Sequence, residues 1–255
     1  LSIRPKEGAP RVEQKQYLRT EFSVDMESVV EEKRPKMKAT DIVLAFPVSA
    51  SYEAQPDIEG SKLYAFLPIR QSGFRFSIQA DFVLSASRGE IRETLPWNIR
   101  LRDALASAFV DSLDAFKRHD LLKNTYFDFI PGKEEVSGNF LRPVRKAIFD
   151  QLVLTKCLRS ASGTWCLPKE LRTAGKRFRE LFPSETAKLV FGYDYVHEDQ
   201  KADKVTLDDL GVQGALVSDV ISLFNNHLKW FQEQPKEWKR SLYSLIADSL
   251  ERYIK

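Results

Sequence analysis

The sequence has little of what marks several common protein classes. It holds only two cysteines, Cys157 and Cys166, among 255 residues. Two cysteines cannot build a disulfide framework, and the sequence has no C-x-x-C pair or Cys/His cluster at zinc spacing. It also lacks a signal-peptide pattern and any apolar run near the ~20 residues that cross a bilayer. We therefore expect an intracellular protein, in the cytoplasm or nucleus, with no membrane partner.

The charge balance is close to even. A net charge of +3, with 43% hydrophobic and 29% charged residues, is ordinary for a folded globular protein. A nucleic-acid binder usually has a denser basic stripe, so nucleic acid is not the expected partner, although the charge does not exclude it. The chain begins at Leu1 rather than at a methionine, and we expect it to be a piece of a longer protein.

The first half of the chain predicts an α+β domain with a mostly antiparallel sheet. Residues 1–16 are polar and are predicted to be a linker. Strands are predicted at Tyr17–Met26 and Asp41–Val48, and Lys62–Leu84 is predicted to be one antiparallel hairpin with a turn at Gly73. Asn98 is predicted to cap an amphipathic helix over Ile99–Arg118 that packs on the sheet. The side chains expected to be mostly buried are those of Tyr64, Phe66, Leu67, Phe76, Ile78, Phe82, Leu105 and Phe109.

Beyond about residue 132 the pattern predicts a mainly helical domain, so the predicted domains are 17–132 and 133–255. A short strand is predicted over Gly163–Leu167, and Thr206 with Asp209 resembles a capping box. Helices are predicted at Leu141–Leu158, Lys169–Leu181, Ser218–Gln234 and Glu237–Ile254.

No self-contained active site is evident in the sequence. It has no glycine-rich phosphate loop and no G-x-S-x-G nucleophile elbow. The adjacent carboxylates Asp208–Asp209 and Glu31–Glu32 are interpreted as solvent-exposed charges or as charges that stabilise the start of a helix. Cys157 is interpreted as a small core residue. The three histidines, His119, His197 and His227, are scattered. We expect the chain on its own not to be an enzyme, because no nucleophile–base pair or metal set is present.

Two arginine-bearing segments are candidate sites. The predicted basic helix carries Lys169, Arg172, Lys176, Arg177 and Arg179, which could contact phosphate or an acidic partner but fit a solvated face better. The second segment, Phe82–Ile91, joins a buried strand to the loop before a helix and contains Arg88. A guanidinium leaving a strand end on such a loop could reach into another domain's site, where its fixed planar charge suits phosphoryl transfer.

The stretches Tyr64–Arg70, Gly73–Arg88 and Pro96–Asn98 together carry a family resemblance. They resemble the region just after the nucleotide-binding domain in the sacsin and NO VEIN family of large GHKL ATPases, most of all its fungal members. The run Asp41–Pro47 resembles the strand that precedes this region in the family. Asp209–Val212 resembles a later and less specific part of the family pattern. The resemblance is strong over about residues 40–118.

The resemblance implies a transducer (middle) domain that couples ATP binding and hydrolysis in an upstream domain to chaperone-like movement. In the heat-shock chaperone class, an arginine in a Leu-Ser-Arg-Glu loop after an apolar strand contacts the γ-phosphate. Ala86–Glu90 is similarly placed, so the role carries over to Arg88, with Arg92 in reserve; Gly89 departs from the chaperone pattern. The resemblance also implies ATP and magnesium in the parent protein, with no cofactor held by this chain, because the family's nucleotide-site motifs do not occur in it.

Two other readings stay open. The segment could be a non-catalytic module that binds a protein client or nucleic acid within a scaffold. It could also be an enzyme of an unrecognised type, whose catalytic residues meet only in space.

Overall fold

The structure of the protein is a computed structural model. It describes residues 15–254 except 33, 137 and 216, without the side chains of 217 and 249–254. The predicted linker thus lies outside the described residues except for its end, where Gln16 already belongs to the first strand. No helix in this described part combines the length and apolarity needed to span a membrane.

The chain alternates strands and helices in an α+β arrangement. The strands are β1 (Gln16–Asp25), β2 (Ala39–Val48), β3 (Lys62–Ala65), β4 (Leu67–Gln71), β5 (Ser77–Gln79), β6 (Leu158–Arg159), β7 (Trp165–Cys166), β8 (Leu171–Thr173), β9 (Asp194–Tyr195) and β10 (Gln213–Gly214). The helices are α1 (Pro96–Lys117), α2 (Arg142–Leu152), α3 (Lys176–Leu181), α4 (Ser184–Phe191), α5 (Lys204–Asp209), α6 (Val217–Asn226), α7 (Leu228–Glu233) and α8 (Lys236–Ile254), with 3-10 turns at Tyr126–Phe129 and Pro168–Glu170.

The large sheet has five strands in the order β1-β2-β5-β3-β4. All neighbours are antiparallel except β3 and β5, which are parallel. The predicted Lys62–Leu84 hairpin is therefore wrong, because the chain reverses twice in that stretch. It turns first at Phe66, which has a left-handed φ of 63°, and again at Gly73, where the turn was predicted and φ is 77°.

Helix α1 covers one face of this sheet, as predicted. Its buried stripe includes Leu105 and Phe109, and the ring of Phe109 stacks on that of Phe76 with 5.2 Å between the ring centroids. Of the side chains expected in the core, Phe76, Ile78, Phe82, Leu105 and Phe109 are buried. Tyr64 is half-buried.

The expectation for Phe66 and Leu67 is wrong, since they are 82% and 67% exposed. The apolar run Leu63–Ile69 resembles a single buried strand, but it contains the turn between β3 and β4. The two residues lie at that turn and therefore point away from the core.

The second half mixes helices with two small sheets. The predicted basic helix Lys169–Leu181 is confirmed only over α3, because the residues before α3 form a 3-10 turn and strand β8. Gly175, a weak helix former, precedes α3. The predicted strand at Gly163–Leu167 is confirmed in part as β7, which pairs with β6. Helix α2 is shorter than predicted, since it ends at Leu152.

The C-terminal helices agree with the prediction in part. The predicted helix Ser218–Gln234 breaks at His227 into α6 and α7, and this bend brings the rings of Phe224 and Phe231 to 4.8 Å. The last predicted helix is confirmed as α8. The capping box predicted for Thr206 and Asp209 is wrong, because Asp203 caps α5 by accepting from the backbone N–H of Thr206.

Two hydrophobic clusters hold the described residues together. The larger runs from Val24 through the sheet and α1 to Leu171, and includes Val212. It continues across residue 132, since Ile130 and Val136 both belong to it. The smaller cluster centres on the α3–α8 aromatic side chains, including Phe182 and Phe231. The division into domains at residue 132 stays a prediction.

Candidate functional site

The segment Val83–Arg92, here called the Arg88 loop, is a short hairpin-like loop. The backbone N–H of Arg92 donates to Val83 O (3.1 Å), and that of Ser85 donates to Glu90 O (2.8 Å). Between these bonds Leu84 and Ile91 form an isolated antiparallel bridge. At the tip, the N–H of Arg88 donates to Ser85 O at 3.0 Å. The loop therefore has a defined backbone and presents its tip to solvent.

Arg88 combines a strained backbone with an exposed side chain at the tip of the loop. Its backbone is left-handed, with φ 60°, and such a conformation costs a residue with a Cβ about 1–2 kcal/mol. Gly89, which could adopt it without strain, is not the left-handed residue. Among the described residues, the exposed Arg88 side chain has no hydrogen-bond or ion-pair partner. A strained, unpartnered arginine at a loop tip is free to contact a group outside this chain.

The base of the loop is clamped by Asn98. This side chain is completely buried. Its Oδ1 accepts from the backbone N–H of Val83 (2.8 Å), and its Nδ2 donates to Val83 O (2.8 Å) and Arg92 O (2.9 Å). Three bonds from one helix side chain thus close both ends of the loop and fix it to α1.

The predicted role of Asn98 as an N-cap is therefore wrong. Helix α1 begins earlier, at Pro96, and its N-cap is Leu95, without a side-chain cap bond. A sequence signal for the clamp did exist, because Asn98 falls on the same helical stripe as Leu101 and Leu105. A polar residue on an apolar stripe must find buried partners, and here these are the backbone groups of the loop.

Arg92, the reserve candidate, also has an exposed side chain but lies at the base of the loop. Both of its backbone polar groups are bonded, to Val83 and to Asn98. A neighbouring ion pair between Arg70 and Glu93 (2.7 Å) ties strand β4 to the chain just after the loop. The geometry thus distinguishes a free arginine at the tip from one at the fixed end.

Of the five basic residues predicted to share one helix, Lys176, Arg177 and Arg179 lie on α3, while Lys169 lies in a 3-10 turn and Arg172 in β8. Arg179 donates to Ala174 O and Val196 O and stacks over Tyr195, with its guanidinium 5.0 Å from the ring centre. Arg172 stacks over Tyr193 at 5.2 Å. Arg177 pairs with Asp248 and Lys176 with Glu180, while Lys169 is exposed. Most of these cations are therefore engaged within the chain.

Acidic residues in the second half act as structural anchors. Asp209 pairs with Arg145 (3.0 Å) and Lys133 (3.2 Å), which joins α5 to α2. Burial would raise the pKa of Asp209, but these two cations outweigh it and lower the pKa. Among the described residues, no group of three or more His, Cys, Asp or Glu side chains could hold a metal ion.

The two cysteines are unpaired. Cys157 is fully buried, and burial raises the pKa of its thiol to about 12. A thiol with that pKa stays protonated at neutral pH and is a poor nucleophile. Cys157 is therefore a core residue, as predicted.

Asp194 is the most heavily bonded carboxylate of the second half. It is 4% exposed and accepts from the hydroxyls of Ser162 (2.9 Å) and Ser184, from the N–H of Tyr195 (2.7 Å), and from Lys188 (3.1 Å). Burial would raise its pKa, but these donors together hold the pKa well below its usual range. The carboxylate thereby joins β9, α4 and the β6–β7 turn.

This arrangement predicts loss of stability in acid. A carboxyl group whose folded pKa is depressed stabilises the fold above its unfolded pKa, about 3.9 for Asp, and this contribution is lost as the pH falls below that value. Between about pH 4 and pH 2, the free energy of unfolding should fall less in Asp194→Asn than in the unmodified chain, as measured by urea unfolding at each pH. Asp111→Asn, on the exposed face of α1, is the matched control. Equal slopes for the unmodified chain and Asp194→Asn would contradict this.

One comparison with curated proteins supports part of the resemblance. The chain is 31% identical over 164 residues to Protein NO VEIN of Arabidopsis thaliana. The chain is related to NO VEIN. The aligned part covers 58% of this chain and 6% of NO VEIN, so this chain spans only a small fraction of that relative's length. No family model matches the chain, and no solved structure matches it.

Proposed function

We propose that this chain is the transducer (middle) segment of a sacsin-like GHKL ATPase of the fungal branch. In this proposal an upstream domain binds ATP with magnesium, and this segment couples nucleotide binding and hydrolysis to a chaperone-like conformational change. Support comes from the relation to NO VEIN and from the arginine-tipped loop beside a sheet covered by a helix. The chain itself is proposed not to hydrolyse ATP and to hold no cofactor.

The observation that carries the proposal is the state of Arg88. Its side chain is exposed and without a partner among the described residues, yet its loop is fixed at the base by the buried Asn98. A guanidinium that contacts a γ-phosphate from another domain needs both features. The free side chain can reach the phosphate, and the rigid base limits the entropy lost on contact.

In the proposed mechanism, closure of the upstream domain onto this segment brings the γ-phosphate to the Arg88 guanidinium. The planar, permanently charged group then donates hydrogen bonds to the phosphate oxygens and stabilises the charge that they carry in the transition state. Asn98 does not touch the nucleotide and serves to position the loop. Arg92 would replace Arg88 in this role only if the loop docks by its base.

The test is steady-state ATP hydrolysis by the parent protein with Arg88 intact and with Arg88→Ala. ATP binding is measured in parallel, and both proteins are checked for folding. Loss of turnover with retained ATP binding supports the proposal. Equal turnover would remove Arg88 from the γ-phosphate, and absence of hydrolysis in both proteins would favour a binding scaffold.

A further inference from the structure

Strand β1 leaves one long edge of the large sheet open among the described residues. The N–H of Met26 donates to Lys38 O at 2.8 Å, and these residues continue the β1–β2 register, in which Asp25 faces Ala39. Because antiparallel strands alternate hydrogen-bonded and non-bonded pairs, the even-numbered residues of β1 bond to β2. The odd-numbered residues therefore point their N–H and C=O groups toward the outer edge.

That outer edge has free bonding capacity. Within the described residues, the outward backbone groups of Tyr17, Arg19, Glu21 and Ser23 bond to no other backbone group. Of these outward groups, the carbonyl of Asp25 alone has a partner in the described part of the chain, the Nε of Arg100 at 3.1 Å. The strand is 10 residues long and contains no proline. Such an edge is a template for another strand.

We propose that this edge binds β1 of a second copy of the chain, antiparallel, about a two-fold axis at Thr20. In this register Arg19 faces Glu21 of the second copy, and Tyr17 faces its Ser23. The two-fold axis repeats both pairs. All of these residues are odd-numbered, so each pair can exchange two backbone hydrogen bonds. The two large sheets would then form one continuous sheet.

The charges of the strand favour this register over its neighbours. With the axis at Thr20, Arg19 faces Glu21 and Lys15 faces Asp25, so every charged residue on this edge faces an opposite charge. Moving the axis to Arg19 places two arginines opposite each other, and moving it to Glu21 places two glutamates opposite each other. Like charges directly opposite destabilise an antiparallel pair. In the single chain, Arg19 pairs with Glu21 of its own strand at 2.8 Å, with both side chains about half exposed.

The other face of the strand supports the same pairing. Leu18 and Phe22 are partly buried and pack against the main core. In the proposed register Leu18 faces Phe22 of the second copy, and Thr20 faces Thr20. Each copy would therefore cover the remaining exposed parts of these apolar side chains of the other, which extends the layer beneath α1 and adds hydrophobic burial to the backbone bonds.

Sedimentation velocity of the chain over a concentration series tests the proposal. We expect a monomer–dimer equilibrium for the unmodified chain. Glu21→Lys, which places like charges opposite each other twice, should raise the dimer dissociation constant roughly tenfold or more. The double variant Arg19→Glu/Glu21→Arg restores opposite charges and should dimerise like the unmodified chain. Lys62→Glu, an exposed charge change on β3, is the control for general charge effects.

Cross-linking tests the position of the axis. In a background with Cys166→Ser, Thr20→Cys should form an intermolecular disulfide in air, because residues at a non-hydrogen-bonded pair have Cα atoms only about 4.5 Å apart. Ser23→Cys, which would face Tyr17, should not cross-link. Circular dichroism and thermal unfolding of each variant check that its fold is retained.

Several results would overturn the proposal. A chain that stays monomeric at all concentrations would do so. A monomer that dimerises only after residues 1–14 are removed would assign the edge to the chain's own first residues. Dimers that form equally well with Glu21→Lys, or that cross-link equally through Ser23→Cys, would place the interface or the axis elsewhere.

Discussion

In the parent protein, Arg88→Ala is expected to lower steady-state ATP turnover by about a thousandfold with little change in ATP affinity. An arginine that contacts the transferring phosphoryl group is worth about 10³-fold or more in other systems. Most of this gain appears in the transition state, where charge on the phosphate oxygens is greatest. The effect should therefore fall on kcat, and ATP binding should be preserved.

Two substitutions at the same position separate catalysis from folding. Arg88→Gly removes the guanidinium and also relieves the left-handed backbone, so the fold should be as stable as before, or more stable by up to about 1 kcal/mol. Its turnover should nevertheless fall as far as that of Arg88→Ala. Arg88→Lys keeps the charge but loses the planar set of donors, and we expect an intermediate rate.

The control for a general loss of positive charge is Arg142→Ala, an exposed residue at the start of α2, away from the loop in the sequence. Its turnover should match that of the unmodified parent. Arg92→Ala distinguishes the two loop arginines, because it should cost less than Arg88→Ala if the tip makes the contact. A larger loss at Arg92 would assign the contact to the base of the loop.

Asn98→Ala is expected to lower the free energy of unfolding by about 3 kcal/mol. The change removes three hydrogen bonds and leaves the buried N–H of Val83 without a partner, while Val83 O and Arg92 O each keep one backbone donor. An unsatisfied buried polar group costs about 1–3 kcal/mol. Urea unfolding measures the loss, and Asn225→Ala, at an exposed position of α6, should change it by no more than about 0.5 kcal/mol. A loss that small at Asn98 would contradict its role as the clamp.

Asn98→Asp gives the same clamp a dependence on pH. The new carboxylate could still accept from the N–H of Val83, but its second oxygen would face the carbonyls of Val83 and Arg92. Its folded pKa should therefore lie above the unfolded value of about 3.9. The variant's deficit relative to the unmodified chain should be smallest below about pH 4 and should grow as the pH rises. A deficit independent of pH would contradict this geometry.

In the parent, Asn98→Ala should also lower turnover more than stability alone explains, if the loop must be rigid to place Arg88. Because Asn98 acts through the loop, ATP affinity should stay unchanged while kcat falls. The fall should be smaller than for Arg88→Ala, since the guanidinium is retained. In the double variant the effect of Asn98→Ala on kcat should disappear, because no guanidinium is left to position.

Elements with a strong local pattern could be predicted from the amino-acid sequence. The strand at Tyr17–Met26 and the helix that covers the sheet follow from the spacing of their apolar residues, since period 2 and period 3.6 place apolar side chains on one face. The last helix follows for the same reason. The strand at Asp41–Val48 follows from a continuous apolar run short enough for a strand. The loop that carries Arg88 was also predictable from the sequence, because Ser and Gly residues follow an apolar alternating run, although β5 itself ends at Gln79.

The contacts that residues make with distant parts of the chain could not be predicted in the same way. The apolar run around Phe66 has the composition of a buried strand, but the turn that exposes it depends on pairing between β3, β4 and β5. Asn is a residue type common at helix N-caps, but the backbone groups that Asn98 bonds belong to Val83 and Arg92, which lie 15 and 6 residues away along the chain. The basic residues from Lys169 to Arg179 resemble one helix face, but the chain leaves the helix at β8, and Arg172 and Arg179 stack over Tyr193 and Tyr195, which lie about 20 residues away in the sequence. Local periodicity fixes which face of an element is apolar, whereas partners distant in sequence are fixed only when the chain packs.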